Sequence, residues 1–242
     1  MPGPTHFDEQ AGEYERARPP YPDALWARVR ELGVLRPGRR AIDLGAGTGQ
    51  ATGPLLAAGM DVVAVEPGPR LAARLRERYP AARVQAVAAE DAAFDDAAFD
   101  LAVAATAIHW MDLDSVLPIV RRALAPDGWF LVWRTVFGDP DAAATPFRER
   151  VNAIVARRRG VSRRALEDLE TTAERLVAGG LFAVVGTDTF RWSLDLDEEA
   201  VRRLFRTFSD WTPGEADEAA AAVGELGGAV TEHYTSWLIA LR

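Results

Sequence analysis

Residues 41–50 read AIDLGAGTGQ, and this stretch decides the fold. A short apolar segment leads into three glycines at alternate positions, Gly45, Gly47 and Gly49, and an apolar helical pattern resumes soon after them. Glycine suits backbone that turns with positive φ or lies closer to a ligand than a Cβ allows. The order strand, loop, helix therefore presents backbone N–H groups to a small ligand at the carboxyl end of a sheet.

The glycine spacing distinguishes two kinds of ligand. Dinucleotide sites use G-x-G-x-x-G, and the third glycine of that pattern falls where Gln50 stands. Residues 43–49 instead read DLGAGTG, which resembles the first motif of the class I S-adenosylmethionine (SAM)-dependent methyltransferases. The resemblance implies SAM as cofactor and S-adenosylhomocysteine as product. The residues that it places at the methionine end of the cofactor are Asp43, Gly45, Ala46, Gly47 and Gly49.

A second strand supports this interpretation. Residues 61–65 are apolar after the first position, and Glu66-Pro67 closes the run. Glu66 lies 17 residues beyond Gly49, where the second strand of such a fold ends. A carboxylate there accepts hydrogen bonds from both ribose hydroxyls of an adenosine. We therefore predict that Glu66 and Pro67 contact the cofactor.

The composition of the chain excludes several kinds of partner and of catalytic chemistry. The net charge of −8 argues against a nucleic-acid partner, which usually requires a broad basic face. The chain has no cysteine, and all 28 basic residues are arginine, so thiol, P-loop and Schiff-base chemistry are excluded. No apolar stretch is long enough to span a bilayer, and the proline- and glycine-rich start lacks a signal-peptide core. We expect a cytoplasmic protein, a monomer or homodimer, with no metal and no membrane contact.

The order of elements predicts an α/β fold. Strands alternate with helices from residue 37 to about 138, which indicates a doubly wound parallel sheet. The resemblance implies a Rossmann-like seven-stranded sheet with an antiparallel last strand and a helical lid inserted after the fifth strand. We expect one methyltransferase domain over 1–242. Its predicted parts are a cofactor-covering segment and helix at 1–36, a SAM-binding core at 37–139, a helical lid at 140–183 and closing strands at 184–242.

Further cofactor contacts follow from the resemblance. The segment with Tyr14 and Arg18 is similar to the entrance segment of trans-aconitate methyltransferase-like proteins, which implies that Tyr14 packs on the cofactor and that Arg18 pairs with its carboxylate. The family commonly has an acid at the position aligned with Ala88. Because that acid is absent, a contact to the adenine must come from neighbouring residues or backbone. The remaining predicted cofactor contacts are Ala89, Glu90, Asp91 and Ala104.

The carboxyl end of the fourth strand carries the candidate catalytic residue. Residues 107–110 read AIHW, similar to the same subgroup, and His109 is the best-placed histidine for a general base. A base helps if the acceptor is a hydroxyl or an acidic carbon, whereas a carboxylate or free amine needs none. His109 could instead form a pocket wall. Trp110, Trp133 and Arg134 are the candidate residues of the substrate pocket, with Arg134 suited to clamp a carboxylate.

These observations favour methyl transfer from SAM to a small-molecule acceptor, with O-methylation of a carboxylate or hydroxyl preferred. Two alternatives stay open. One is a SAM-binding protein of the same fold that transfers no methyl group. The other is an NAD-dependent oxidoreductase, which the glycine spacing disfavours.

Overall fold

The structure is a computed structural model that describes residues 17–158, 168–208 and 210–242. Seven strands form one sheet in the order β3-β2-β1-β4-β5-β7-β6. The strands are β1 (Arg40–Leu44), β2 (Asp61–Val65), β3 (Arg83–Gln85), β4 (Phe99–Ala105), β5 (Leu124–Phe137), β6 (Val184–Asp197) and β7 (Ala229–Leu241).

The first five strands are parallel, as the alternation of strand and helix predicts. β1 lies at the centre, and Leu44 pairs with Val65 on one side and with Ala104 on the other. The last two strands differ. Ala183 and Arg242 exchange two backbone hydrogen bonds of 2.8 and 3.0 Å, a pattern typical of antiparallel neighbours, so β7 runs against β6. The predicted Rossmann-like, seven-stranded sheet with an antiparallel last strand is confirmed.

The helices of the described residues connect these strands or follow them. They are α1 (Asp23–Glu31), α2 (Thr52–Ala57), α3 (Pro69–Arg78), α4 (Leu113–Ala123), α5 (Pro146–Ala156), α6 (Leu169–Val177), α7 (Glu198–Arg206) and α8 (Pro213–Glu225). Side-chain caps explain several starts. The Asp112 carboxylate accepts from the Asp114 N–H before α4, and Asp197 does the same for Ala200 before α7.

Some element bounds differ from the sequence-based expectation. The sequence pattern predicts strands at residues 83–88 and 129–136, but β3 ends at Gln85 and β5 starts at Leu124. α8 was not indicated by apolar periodicity, because it is alanine-rich and its polar and apolar residues are weakly segregated. Its start nevertheless carries a local signal: Thr212 and Glu215 form a reciprocal capping box around Pro213.

The described residues form two compact units. The larger unit comprises residues 21–134, 168–190 and 236–242, and its core joins α1 to strands β1, β4, β5 and β7 through Leu25, Val29, Leu101, Trp133 and Leu238. The smaller unit comprises residues 17–20, 135–158, 191–208 and 210–235. Its core is built mainly from α5, α7 and α8. It stays a prediction that residues 1–36 cover the cofactor and that residues 140–183 form a lid.

In the described part of the chain, no helix has the length and apolar character needed to cross a bilayer.

Candidate functional site

The glycine loop after β1 has the backbone conformation that its sequence predicts. Gly45, Gly47 and Gly49 have φ values of +65°, +56° and +92°, which L-residues with a Cβ rarely adopt. A Cβ on Gly45 would lie 2.5 Å from the Cβ of Ala107, so the chain after β4 also requires glycine there. At Gly47, by contrast, a Cβ would have no atom of the described residues within 4 Å apart from its own chain neighbours. The loop is therefore packed at its base and open at Gly47, where a ligand can approach the backbone.

Glu66, predicted to bind the ribose, stands at the same edge of the sheet. It follows Val65 at the end of β2 and is 5% exposed. Its Oε2 accepts a 2.8 Å hydrogen bond from the N–H of Gly47, and its Oε1 accepts one of the same length from Gly68. A carboxylate has about four acceptor positions, so Glu66 can hold the loop and still accept from ligand hydroxyls. Pro67, between Glu66 and Gly68, is partly buried.

Asp43 lies beneath the loop and is fully buried. Its Oδ2 accepts a 2.6 Å hydrogen bond from the Thr52 hydroxyl at the start of α2, so the carboxylate braces both ends of the loop. The Oδ1 atom has no hydrogen-bond partner among the described residues. Burial raises the pKa of Asp43 to about 7; the Thr52 hydrogen bond opposes the rise and the charge of Glu66 adds to it. An unpartnered buried carboxylate oxygen suits a positively charged ligand group.

The turn after β4 is held in a strained conformation. Thr106 has φ of +57°, which is rare for a β-branched residue, and its N–H donates to the Trp133 carbonyl at 2.7 Å. The Tyr21 hydroxyl donates to the Thr106 hydroxyl at 3.2 Å. Strain of this kind persists only where the surroundings over-determine it. Sequence reasoning missed Tyr21 and Thr106, because neither the strain nor this long-range bond has a local signature.

His109, the candidate base, lies in a short 3₁₀ turn that begins two residues after Thr106. Its ring centroid is 5.0 Å from that of Trp110, and both side chains are partly exposed. The closeness of Ala107 to Gly45 places this turn beside the glycine loop. Ala104 is buried in β4 next to Leu44, and Arg134 is partly buried in β5. The catalytic role of His109 and the pocket roles of Trp110 and Arg134 stay predictions.

The segment predicted to hold the adenine forms a short 3₁₀ turn at Ala89–Asp91. Ala89 is buried, and Asp91 is exposed. Glu90 accepts a 2.8 Å hydrogen bond from the N–H of Asp112, the residue that caps α4. This bond gives Glu90 a structural function beside its predicted cofactor contact.

Trp133 is a core residue. It has no exposed surface, and its ring packs edge-on against Tyr21 and Trp26 at centroid distances of 5.6 and 5.5 Å. These contacts place Trp133 in the core of the larger unit, and its predicted role in the substrate pocket stays a prediction.

Of the two residues predicted in the entrance segment, Tyr14 lies outside the described residues. Arg18 belongs to the smaller unit, where its Nη2 donates to the Thr207 carbonyl at 3.0 Å and its guanidinium lies 4.7 Å from the Phe208 ring centroid. The predicted pairing of Arg18 with the cofactor carboxylate stays a prediction.

A second cluster of buried polar groups, which sequence reasoning missed, lies within the smaller unit. Arg148 donates to Glu232 Oε1 at 2.5 and 3.2 Å, and its guanidinium stacks 4.3 Å from the Phe137 ring centroid. Tyr234 is 2% exposed and stacks on Trp192 at 4.6 Å. The alternation along β7 puts Glu232 and Tyr234 on its buried face. This alternation of the side chains is the sequence signal from which their burial could have been predicted.

Among the described residues, no group of histidine, aspartate and glutamate side chains is arranged to hold a metal ion.

The glycine loop, the acid after β2 and the sheet order agree with a family comparison. Residues 42–132 match a family model described as a methyltransferase domain. This match supports a class I SAM-dependent methyltransferase domain over these residues. The matched segment begins in β1 and ends in β5, so it contains the glycine loop, Glu66 and the turn with His109.

Relatives and solved structures extend this similarity. An uncharacterised methyltransferase of Mycobacterium tuberculosis is 40% identical over 132 residues, which cover 53% of this chain and 52% of that protein. The match thus spans about half the length of that relative. An uncharacterised methyltransferase-like protein of Schizosaccharomyces pombe is 27% identical over 84% of this chain and 77% of its own. A structure from Anaeromyxobacter dehalogenans, assigned as a type II methyltransferase, is 27% identical with a TM-score of 0.54 and covers 92% of this chain and 97% of its own.

Proposed function

We propose that this protein transfers a methyl group from SAM to a small-molecule acceptor. The observation that carries the proposal is the pairing of Glu66 with the glycine loop: a buried carboxylate at the end of β2 bonds to the N–H of Gly47, at the point where the loop is open. This arrangement offers acceptors for two ribose hydroxyls beside backbone that a ligand can approach closely.

The residues present fit the cofactor. Glu66 would bind the ribose, the open face of Gly47 would lie against the methionine end, and the unpartnered Oδ1 of Asp43 would face its ammonium group. Among the neighbouring solved structures, a geranyl diphosphate methyltransferase was solved in complex with SAM; it is 18% identical with a TM-score of 0.50 and covers 87% of this chain and 80% of its own. When bound, SAM supplies an electrophilic methyl group on a sulfonium.

The protein's part in the transfer is then mainly positioning. In-line displacement requires the acceptor atom about 3 Å from the methyl carbon in a site from which water is excluded. The strained turn at Thr106 fixes the chain that leads to His109 and Trp110 at the carboxyl end of β4. His109 would act as a base if the acceptor is a hydroxyl, and as a wall if it is a carboxylate. If His109→Ala retains turnover from about pH 6 to 9, His109 is a wall of the pocket and not a base, since a general base has its pKa near that range.

Calorimetric titration with SAM, S-adenosylhomocysteine and NAD tests the cofactor. We expect micromolar binding of both adenosyl ligands and none of NAD. Glu66→Ala should weaken SAM binding by about tenfold or more, because a charged contact to two hydroxyls is lost. Glu31→Ala, which removes an exposed carboxylate of α1, is the matched control.

The outcomes separate the alternatives. Unchanged SAM affinity in Glu66→Ala would refute the assignment of Glu66. Binding of SAM without accumulation of S-adenosylhomocysteine across an acceptor screen would favour a SAM-binding protein that transfers no methyl group. Binding of NAD alone would overturn the proposal.

A further inference from the structure

Tyr79, which follows the last residue of α3, packs against the backbone at the end of the glycine loop. The side chain is partly buried and belongs to the larger unit. A Cβ on Gly49 would lie 2.5 Å from Cε2 of Tyr79, and a Cβ on Gly53 would lie 2.5 Å from its hydroxyl oxygen. Cβ atoms do not come so close to other heavy atoms, so the tyrosine ring fills the space that a side chain at either glycine would need.

Gly53 is explained by this ring and not by its own backbone. It lies in the first turn of α2, and it lacks the positive φ that Gly49 has. Glycine is less favourable than alanine inside a helix, so the helix alone would favour alanine at this position. Outside its own helix, the three heavy atoms nearest to a Cβ on Gly53 all belong to Tyr79. The contact with Tyr79 is therefore what requires glycine there.

Helix α3 contacts the site at both of its ends. Leu75 and Tyr79 are four residues apart and share one helix face, and a Cβ on Gly49 would also lie 2.7 Å from Cδ1 of Leu75. The helix begins directly after Gly68, whose N–H donates to Glu66 Oε1 at 2.8 Å. The same helix thus follows the residue that holds the predicted ribose-binding carboxylate and packs its last turn on the glycine loop.

The contact fixes a part of the loop that would otherwise be mobile. Glycine loses more conformational freedom on folding than any other residue, and the loop has three glycines at alternate positions. Gly53 donates its N–H to the Gly49 carbonyl at 3.0 Å, so one ring covers two glycines that are joined by a hydrogen bond. Gly47, the open position of the loop, is only two residues before Gly49. A ring that holds Gly49 in place therefore also limits the movement of the backbone at Gly47.

We propose that Tyr79 is a positioning residue for the cofactor. It acts through Gly49 and Gly53 and holds the glycine loop in the conformation that accepts SAM. The inference rests on the proposed function and assigns part of the affinity for SAM to a side chain that sequence reasoning treated only as a helix end. Without the ring, the ligand has to order the loop itself, and ordering one or two residues lowers the affinity by about tenfold or more.

The first test is calorimetric titration of Tyr79 variants with SAM and S-adenosylhomocysteine, at a temperature at which every variant is folded. Tyr79→Ala should weaken both ligands by about tenfold or more. Tyr79→Phe keeps the ring and should stay within about threefold of the wild type. The control is Val29→Ala, which removes a fully buried side chain of α1 in the same unit. It should lower the melting temperature and leave both affinities unchanged.

The second test measures the order of the loop in the ligand-free protein by amide hydrogen exchange. The N–H of Gly49 donates to the Ala46 carbonyl at 2.8 Å, so its exchange reports local opening of the loop. In Tyr79→Ala, the amides of Gly49 and Gly53 should exchange about tenfold faster than in the wild type, by the same loss of order that weakens the ligand. In Val29→Ala, these two amides should exchange at the wild-type rate.

The third test asks whether Tyr79 itself opposes a side chain at residue 53. In the wild type, Gly53→Ala should lower the melting temperature by about 2–4 °C or more, because the new Cβ meets the tyrosine. In the Tyr79→Ala background, the same substitution should raise the melting temperature by about 2–4 °C, because alanine is the better helix former. A change of the same sign in both backgrounds would contradict the contact.

The affinities decide between positioning and mere stability. SAM affinity of Tyr79→Ala within about twofold of the wild type refutes the proposal, as does an equal loss of affinity in Val29→Ala. A wild type that binds neither adenosyl ligand refutes the proposed function. The exchange rates of the ligand-free protein then still decide whether Tyr79 orders the loop, and unchanged rates in Tyr79→Ala refute this role as well.

Discussion

Replacing Asp43 by asparagine should change how the stability of the protein depends on pH. Asp43 is fully buried, and its pKa is raised from 3.8 to about 7, chiefly by burial. The folded protein therefore keeps the proton that the unfolded chain releases near pH 4. The stability that this bound proton of Asp43 contributes is fully present below pH 4 and is lost as the pH rises toward 7.

The magnitude follows from the two pKa values. Each pKa unit corresponds to about 1.4 kcal/mol, so a rise from 3.8 to about 7 amounts to roughly 4 kcal/mol between pH 4 and 8. In Asp43→Asn the amide oxygen can still accept from the Thr52 hydroxyl, and the side chain has no charge to bury. The unfolding free energy of the wild type should thus fall by roughly 4 kcal/mol relative to Asp43→Asn over this range.

Urea unfolding of both proteins at half-unit pH steps, followed by circular dichroism, measures this difference. Other carboxylates titrate in both proteins and cancel in the comparison. Thr52→Val is a second variant for the same measurement. It removes the hydrogen bond that lowers the pKa of Asp43, so its unfolding free energy should continue to fall up to a higher pH than that of the wild type. If the stability difference between wild type and Asp43→Asn is constant within about 1 kcal/mol from pH 4 to 8, the reasoning on burial is wrong.

Three further substitutions test other parts of the fold. Gly45→Ala brings a Cβ to 2.5 Å from Ala107 at positive φ, and urea unfolding should show a loss of about 2 kcal/mol or more; a neutral result would contradict the close approach. Glu232→Gln leaves Arg148 without its charged partner and should cost about 3–5 kcal/mol by thermal unfolding; a loss below about 1 kcal/mol would contradict the importance of this pair. Thr212→Ala removes the capping box of α8 and should cost about 1 kcal/mol, with faster hydrogen exchange confined to that helix.

The core of the fold could be predicted from local pattern. The apolar runs at residues 61–65 and 99–105 predicted the bounds of β2 and β4 correctly, because strands buried on both faces are continuous apolar segments. The positions of the glycine loop and Glu66 could likewise be predicted, since their spacing along the chain fixes where they lie in the fold. α8 was missed because its buried face is largely alanine, which gives weak periodicity.

The details of the site were less accessible. Trp133 was expected at the substrate pocket from its position near a strand end, but which face of β5 it occupies depends on packing with Tyr21 and Trp26. The Tyr21–Thr106 bond and the Arg148–Glu232 pair join residues 85 and 84 positions apart. Contacts at such separation follow from the assembled fold and have no local signature in the chain.

The two backbone hydrogen bonds accepted by Glu66 bear on how a ligand is captured. The bond from the Gly68 N–H fixes the carboxylate, and the bond from the Gly47 N–H orders the glycine loop during folding, so the loop is preorganised and the ligand does not have to immobilise it. Ordering a residue's backbone costs about 1–2 kcal/mol, so even one residue fixed in advance is worth about tenfold in affinity. Ligand association should then approach a simple bimolecular encounter, and substitutions that loosen the loop should weaken the fold and the affinity together.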